Sequence, residues 1–194
     1  MAAREGSFRL IVGLGNPGNR HAGTRHNAGF WLVDELSRRY ACGLRDEAKF
    51  HGAVGRTLID GYDCRLVKPT TYMNHSGQAV GALAQFFKIP PEAILIVHDE
   101  IDLPPGGVRV KRGGSHGGHN GLRHIQSTLG RAEFARLRLG IGHPGHKDDV
   151  VPYVLSRPSE HERRHIEVAI ENAADEIPRL LAGEWDRACQ RLHG

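Results

Sequence analysis

The stretch LIVGLGNPGNRHAGTRHN, Leu10 to Asn27, decides how this chain is read. Gly13, Gly15 and Gly18 form G-x-G-x-x-G directly after an apolar run, the pattern of a dinucleotide-binding turn. Such a turn needs a helix N-terminus aimed at the pyrophosphate and an acid about 20 residues on to hold the ribose. Here Asn16-Pro17-Gly18-Asn19 occupies the place where that helix should start, and helical periodicity begins only near Asn27. The acids Asp34 and Glu35 fall on the helix instead of a strand end. The stretch therefore predicts a buried strand and a loop that holds no cofactor, its glycines letting the backbone pass tightly under a substrate.

Downstream, Phe30, Trp31, Val33, Leu36 and Tyr40 recur at near-helical spacing over Asn27 to Tyr40. Val54–Ile59 and Tyr62–Val67 flank Asp60-Gly61, a strong hairpin signal. Ser76 to Lys88 reads as a second helix, ended by Pro90-Pro91. AILIVH, Ala93 to His98, is a β-branched central strand whose end delivers Asp99. Val108–Arg112 and Arg136–Ile141 are further strands, separated by a glycine-rich loop and a helix starting near Asn120. From Ser159 onward the chain is helical, with Ile166, Ala169, Ile170, Ala173, Ile177 and Leu181 along one face; Pro178 is expected to kink or end that helix. Strands alternating with helices, plus one hairpin, predict a single α/β domain over residues 1–194. Its sheet should be twisted, mixed and mostly parallel, flanked by helices, with residues 1–7 flexible.

The 194 residues suit one domain that buries about 70% of its unfolded surface. Cys42, Cys64 and Cys189 are scattered and odd in number, as reduced packing residues of a cytosolic protein are. No apolar run approaches the roughly 20 residues of a membrane span, and MAAREGSFRL carries no apolar signal core. A soluble, cytoplasmic protein is expected. The net charge of +4 says less than its placement. Between Gly107 and Gly140 lie Arg109, Lys111, Arg112, Arg123, Arg131, Arg136 and Arg138 against Glu133 alone. That local excess predicts a nucleic-acid partner.

GGSHG, Gly113 to Gly117, fits G-x-S-x-G, which would make Ser115 the nucleophile of a serine esterase. An elbow enters its helix directly, whereas Gly118 and His119 delay this one. The acids and histidines that could complete a triad (Asp148, Asp149, His161, His165) lie on a polar segment. Thirteen histidines, with His116 and His119 three apart, invite a metal. No H-E-x-x-H and no cysteine pair supports one. Neither metal nor cofactor is expected.

There remains a set of polar residues at loop or strand ends: Asn16 and His26 after the first strand, Asn74 after KPTTYM, Asp99 after AILIVH, and Asn120 after SHGGH. In open α/β sheets the substrate crevice lies outside the carboxyl ends of the strands. One histidine, one acid and several amides, with no committed nucleophile, suit attack by water on an activated carbonyl. The histidine takes the proton, the carboxylate holds its tautomer, and an amide N–H steadies the oxyanion.

LIVGLGNPG, TRHNAGF, KPTTYMNHSG, VHDEIDLPPG, GGSHGGHNGL and LRLGIGHP, in this order from about Arg9 to His193, resemble the bacterial-type peptidyl-tRNA hydrolase family. The resemblance implies a monomeric enzyme that cleaves the ester between a peptide and the 3′ ribose of tRNA without metal or cofactor. It implies His26 as general base and Asp99 as its partner, with Asn74, Asn120 and His119 in contact with substrate. Asn16 would help distinguish a peptidyl ester from a free aminoacyl one, and Tyr72 would flank the tRNA 3′ end. Lys111 and Arg138 match a clamp on the tRNA 5′ phosphate. Two positions depart from the family: His21 stands where a tyrosine is usual, beside the 3′ end, and His75 where an apolar residue is usual. The alternative is a non-catalytic RNA-binding module on the same fold. RNA binding alone needs neither the histidine–aspartate pair nor the asparagines.

Overall fold

The computed structural model of the protein describes residues 2–193. Leu10 and Val12 of strand β1 (Arg4–Gly13) pack to one side of a sheet and Ile11 to the other. Ile94 and Ile96 of the fifth strand likewise oppose Leu95 and Val97. Burial on both faces is why these strands read as unbroken apolar runs. After β1 the chain forms α1 (Ala28–Arg39), β2 (Arg45–Glu47), β3 (Gly52–Ile59), β4 (Tyr62–Pro69) and α2 (Gly77–Phe87). It continues through β5 (Ile94–Glu100), β6 (Val108–Arg112), α3 (Asn120–Leu129), β7 (Ala135–Gly140) and α4 (Val150–Val154). Helices α5 (Glu160–Leu181) and α6 (Trp185–His193) follow.

The seven strands are ordered β2-β3-β4-β1-β5-β7-β6. The central four, β4, β1, β5 and β7, run parallel, and β2, β3 and β6 join antiparallel at the edges. Side chains of α1, α5 and α6 fill one face and those of α2 and α3 the other, which is the expected twisted α/β arrangement. The hairpin turns where expected, with Asp60 and Gly61 at φ of 49° and 83°, the pair of positive values that matches strand twist. Ser159 caps α5 by accepting from Glu162 N, while the Glu162 side chain accepts from Ser159 N.

Four details differ from the sequence reading. Residues 4–7, expected to be flexible, belong to β1, because Arg4 N donates to Gly61 O and the strand pairs with Tyr62 and Asp63; Met1 lies outside the described residues. Pro178 does not end α5, which runs on to Leu181. It removes a single N–H one turn from the helix end, where Ala182 N closes onto Pro178 O. Strand β2 is too short to show an alternation. Helix α4 is too short to show a period.

Candidate active site

The glycines of the opening motif serve packing. A Cβ on Gly13 would lie 2.3 Å from Gly29 O, and one on Gly29 would lie 2.3 Å from Val97 O. The pair lets α1 lie directly on β1 and β5, which is a different use from passing under a substrate. No helix begins at the motif: the chain runs irregularly from Leu14 to a 3-10 turn at Arg25–Asn27 and only then enters α1. That turn carries His26 to the carboxyl end of β5, where Asp99 waits.

His26 Nδ1 lies 3.0 and 2.9 Å from Asp99 Oδ1 and Oδ2, and His119 Nε2 lies 2.9 Å from Oδ1. All three side chains are nearly buried. Burial by itself would push the Asp99 carboxyl up, but the two imidazoles beside it hold it well below the usual carboxylate range. Burial likewise opposes a charge on His26, and the Asp99 carboxylate more than offsets it, so the His26 pKa is raised. Because the Asp99 carboxylate can only accept, this contact holds the neutral His26 ring with its hydrogen on Nδ1 and leaves the Nε2 lone pair unbonded to Asp99. His98, next along β5, is buried with Nδ1 2.8 Å from Asp99 O, and burial pushes its pKa down to about 4.

A cavity of about 360 Å³ opens beside this cluster, lined by His26, His98, Asp99, His119 and Asn120, with Val150, Val151 and Val154 of α4 closing another side. Asn16 lines a second cavity of about 360 Å³ with Asn27, Phe30, Trp31 and Lys68. His21, Tyr72 and Asn74 line neither. Asn16 is tied in place: its Oδ1 accepts from Met73 N at 2.7 Å, and Asn27 clasps its backbone N and O at 2.8 and 2.9 Å. The Met73 bond joins the loop after β1 to the turn bearing Asn74, which is exposed on Met73–His75. Asn120 is also exposed, with Oδ1 accepting from Arg123. Tyr72 is 61% exposed, its ring edge-on to His21 at 6.2 Å.

Ser115 is exposed five residues before α3 begins, and its carbonyl accepts from Arg136. An elbow would place it at the helix entry, so the esterase reading loses its geometric basis. Among the described residues one group could gather round a metal, His26, Asp99 and His119, with ligating atoms within 4.8 Å of one another. Those atoms already bond to each other.

Lys111 and Arg138 share a sheet face, because Arg138 is the cross-strand partner of Arg109, two residues before Lys111. Lys111 is exposed, while Arg138 Nε donates to Glu100 at 2.8 Å.

Arg25 was invisible as a functional residue except as the neighbour of His26. Its buried guanidinium donates to Tyr153 O (3.2 Å), Ser156 Oγ (2.5 Å) and Glu162 Oε1 (3.1 Å), and lies 3.9 Å from the Tyr153 ring centre. It pins the His26 turn to the segment joining α4 and α5. Arg25→Ala should lower folding stability by about 2–4 kcal/mol, since hydrogen bonds to charged groups contribute roughly 1.5–3 kcal/mol each. Denaturant unfolding measures it; a loss under about 0.5 kcal/mol, the size of an ordinary surface change, would show the tether to be idle.

Among the described residues no helix is long and apolar enough to cross a membrane. The family described as peptidyl-tRNA hydrolase matches residues 10–194. A peptidyl-tRNA hydrolase of Halorhodospira halophila is 79% identical over 193 residues, covering 100% of both chains. One from Alkalilimnicola ehrlichii is 63% identical over 187 residues, 96% of this chain and 95% of its own. The crystal structure of peptidyl-tRNA hydrolase from Acinetobacter baumannii superposes with a TM-score of 0.94 at 47% identity, covering 100% of this chain and 98% of that one. Motif order, sheet topology and full-length identity agree: the chain belongs to the peptidyl-tRNA hydrolase family.

Proposed function

We propose that this protein hydrolyses the ester joining a peptide to the 3′ ribose of tRNA, releasing tRNA for reuse in translation, as a cytoplasmic monomer. The carrying observation is the nearly buried His26–Asp99 pair, Nδ1 to carboxylate at 2.9 Å, beside an open cavity in a chain of this family. Water attacks the ester carbonyl carbon as His26 Nε2 takes its proton. Asp99 keeps the His26 proton on Nδ1 and stabilises the imidazolium that forms. Side-chain N–H groups of Asn74 and Asn120 are suited to hold the water and steady the oxyanion. When the tetrahedral intermediate collapses, the ribose oxygen leaves and recovers the proton from His26.

Asn16 Oδ1 is occupied by Met73 N, so only its Nδ2 donors are free to read the first peptide bond. Tyr72 and His21 offer ring faces at the exposed rim for the tRNA 3′ end. The direct test incubates the protein with N-acetylaminoacyl-tRNA, with and without EDTA. Ester cleavage unaffected by EDTA is expected. Binding of tRNA without cleavage would leave an RNA-binding module.

Lys111 and Arg138 supply the proposed 5′-phosphate clamp. Lys111→Ala should raise KM, leave kcat almost unchanged, and reduce the salt slope of tRNA binding by roughly 0.7–0.9. Arg138→Ala should raise KM further, because it also leaves the Glu100 carboxylate unpaired. Substrate lacking the 5′ phosphate should erase most of the Lys111 effect. Equal losses on both substrates would reduce the pair to a general basic surface.

A further inference from the structure

His119 was expected to contact substrate, but its two ring nitrogens are both engaged by the protein. As the residue preceding α3 it accepts, through Nδ1, from Gly121 N at 3.2 Å and Leu122 N at 3.4 Å. These are amides of the first turn, which have no carbonyl partner within the helix. An Nδ1 that accepts two N–H groups carries no hydrogen, so the ring proton sits on Nε2. Nε2 points at Asp99 Oδ1, 2.9 Å away. His119 is therefore a fixed-direction donor to the carboxylate that His26 also uses.

We infer that His119 is a positioning residue, locked by the amides of α3 as the Nε2–H tautomer, which anchors Asp99 and draws part of its negative charge away from His26. The inference rests on the reading of His26 as the base. Asp99 then receives two N–H donors, and its attraction for the His26 proton is moderated. A base must release its proton to the leaving group as well as take one, so over-tight pairing with Asp99 would slow the second half of the reaction. The same lock opposes a metal on the three groups: freeing Nε2 would move the hydrogen to Nδ1, against the Gly121 and Leu122 amides.

Arg25, beside His26 in the same turn, is paired with Glu162, and further charged and titratable groups line the cavity next to the pair. His26 faces Asp99 and the His119 ring, 5.0 Å between centroids, and His119 faces His98 at 5.1 Å. Glu100 of β5, His116 of the glycine loop, and His143 and Lys147 ahead of α4 complete the lining. His98 is buried and held to a backbone carbonyl. Asp99 is the only carboxylate bonded to either ring among the described residues.

The test uses ¹⁵N-detected NMR of the histidine rings in the intact protein, together with the pH profile of kcat/KM. Wild-type His119 should show an unprotonated Nδ1 and a protonated Nε2. His119→Asn keeps a good helix cap, yet its side chain is too short to bond Asp99, so the fold should survive. In that variant the His26 titration and the acid limb of kcat/KM should both move up by about one pH unit, a tenfold change in the proton equilibrium, while KM changes less than twofold. A proton on Nδ1 of His119, or a His26 titration unmoved in the variant, would overturn the inference. A raised KM with an unmoved acid limb would overturn it too, returning His119 to substrate binding. The NMR readout needs no turnover, so it decides the role of His119 even if the wild-type protein cleaves no ester.

Discussion

His26→Ala is expected to lower kcat on peptidyl-tRNA by about 10²–10⁴-fold, the usual contribution of a positioned general base, while the variant still folds and binds tRNA. The imidazole is borne by the middle residue of a 3-10 turn whose fixing bonds come from Arg25 and Asn27 on either side, so its loss leaves the neighbouring scaffold intact. Activity of the wild type should fall as pH drops through the His26 pKa, because only the unprotonated ring accepts a proton from water. That pKa is raised above 6.5, burial opposing and Asp99 outweighing it, so the acid limb should lie above the value of a free histidine. Single-turnover kinetics across pH 5–9 (a span of roughly four units about the free-histidine value) check both. A variant retaining more than about a tenth of wild-type kcat, well short of the general-base range, would remove His26 from the role.

Asp99→Asn is expected to be slower than wild type by on the order of 10²–10⁴-fold, through the wrong tautomer and not through lost packing. An asparagine of the same shape can turn its NH₂ toward His26 Nδ1. The imidazole then carries its hydrogen on Nε2, facing the water it should deprotonate. The effect should be stronger because His119 Nε2–H already claims one oxygen at this position, steering the amide so that its NH₂ meets His26. The double variant with His26→Ala should cost far less than the product of the two, since both act on one proton transfer. Multiplicative losses would mean that Asp99 works independently of His26. Circular dichroism and thermal unfolding of each variant separate chemistry from folding.

Much of the fold was legible because its signals are local. The apolar run at Ile94–Val97 and the Asp60-Gly61 hairpin each declare themselves within a few residues. Strand β2 and helix α4 did not, because three residues show no alternation and five show no helical period. The catalytic candidates were legible as polar side chains at strand ends, a position that open α/β sheets reserve for ligands. Arg25 was not, since its partners Tyr153, Ser156 and Glu162 lie more than a hundred residues away. The opening glycines were visible, but their use was not: what Gly13 accommodates is the approach of Gly29.

Sequence by itself determined the kinds of elements, their order, and which polar residues arrive at the carboxyl ends of β1 and β5, because periodicity, glycine freedom and turn chemistry act over neighbouring residues. Tertiary structure alone decided what those polar groups do for one another. It set His119 Nε2 2.9 Å from Asp99 Oδ1, occupied the Asn16 oxygen with Met73 N, and paired Arg138 with Glu100. A hydrogen bond or charge pair depends on distance and direction in space, and His119 and His26, 20 and 73 positions from Asp99, acquire these only when the sheet has brought their loops together.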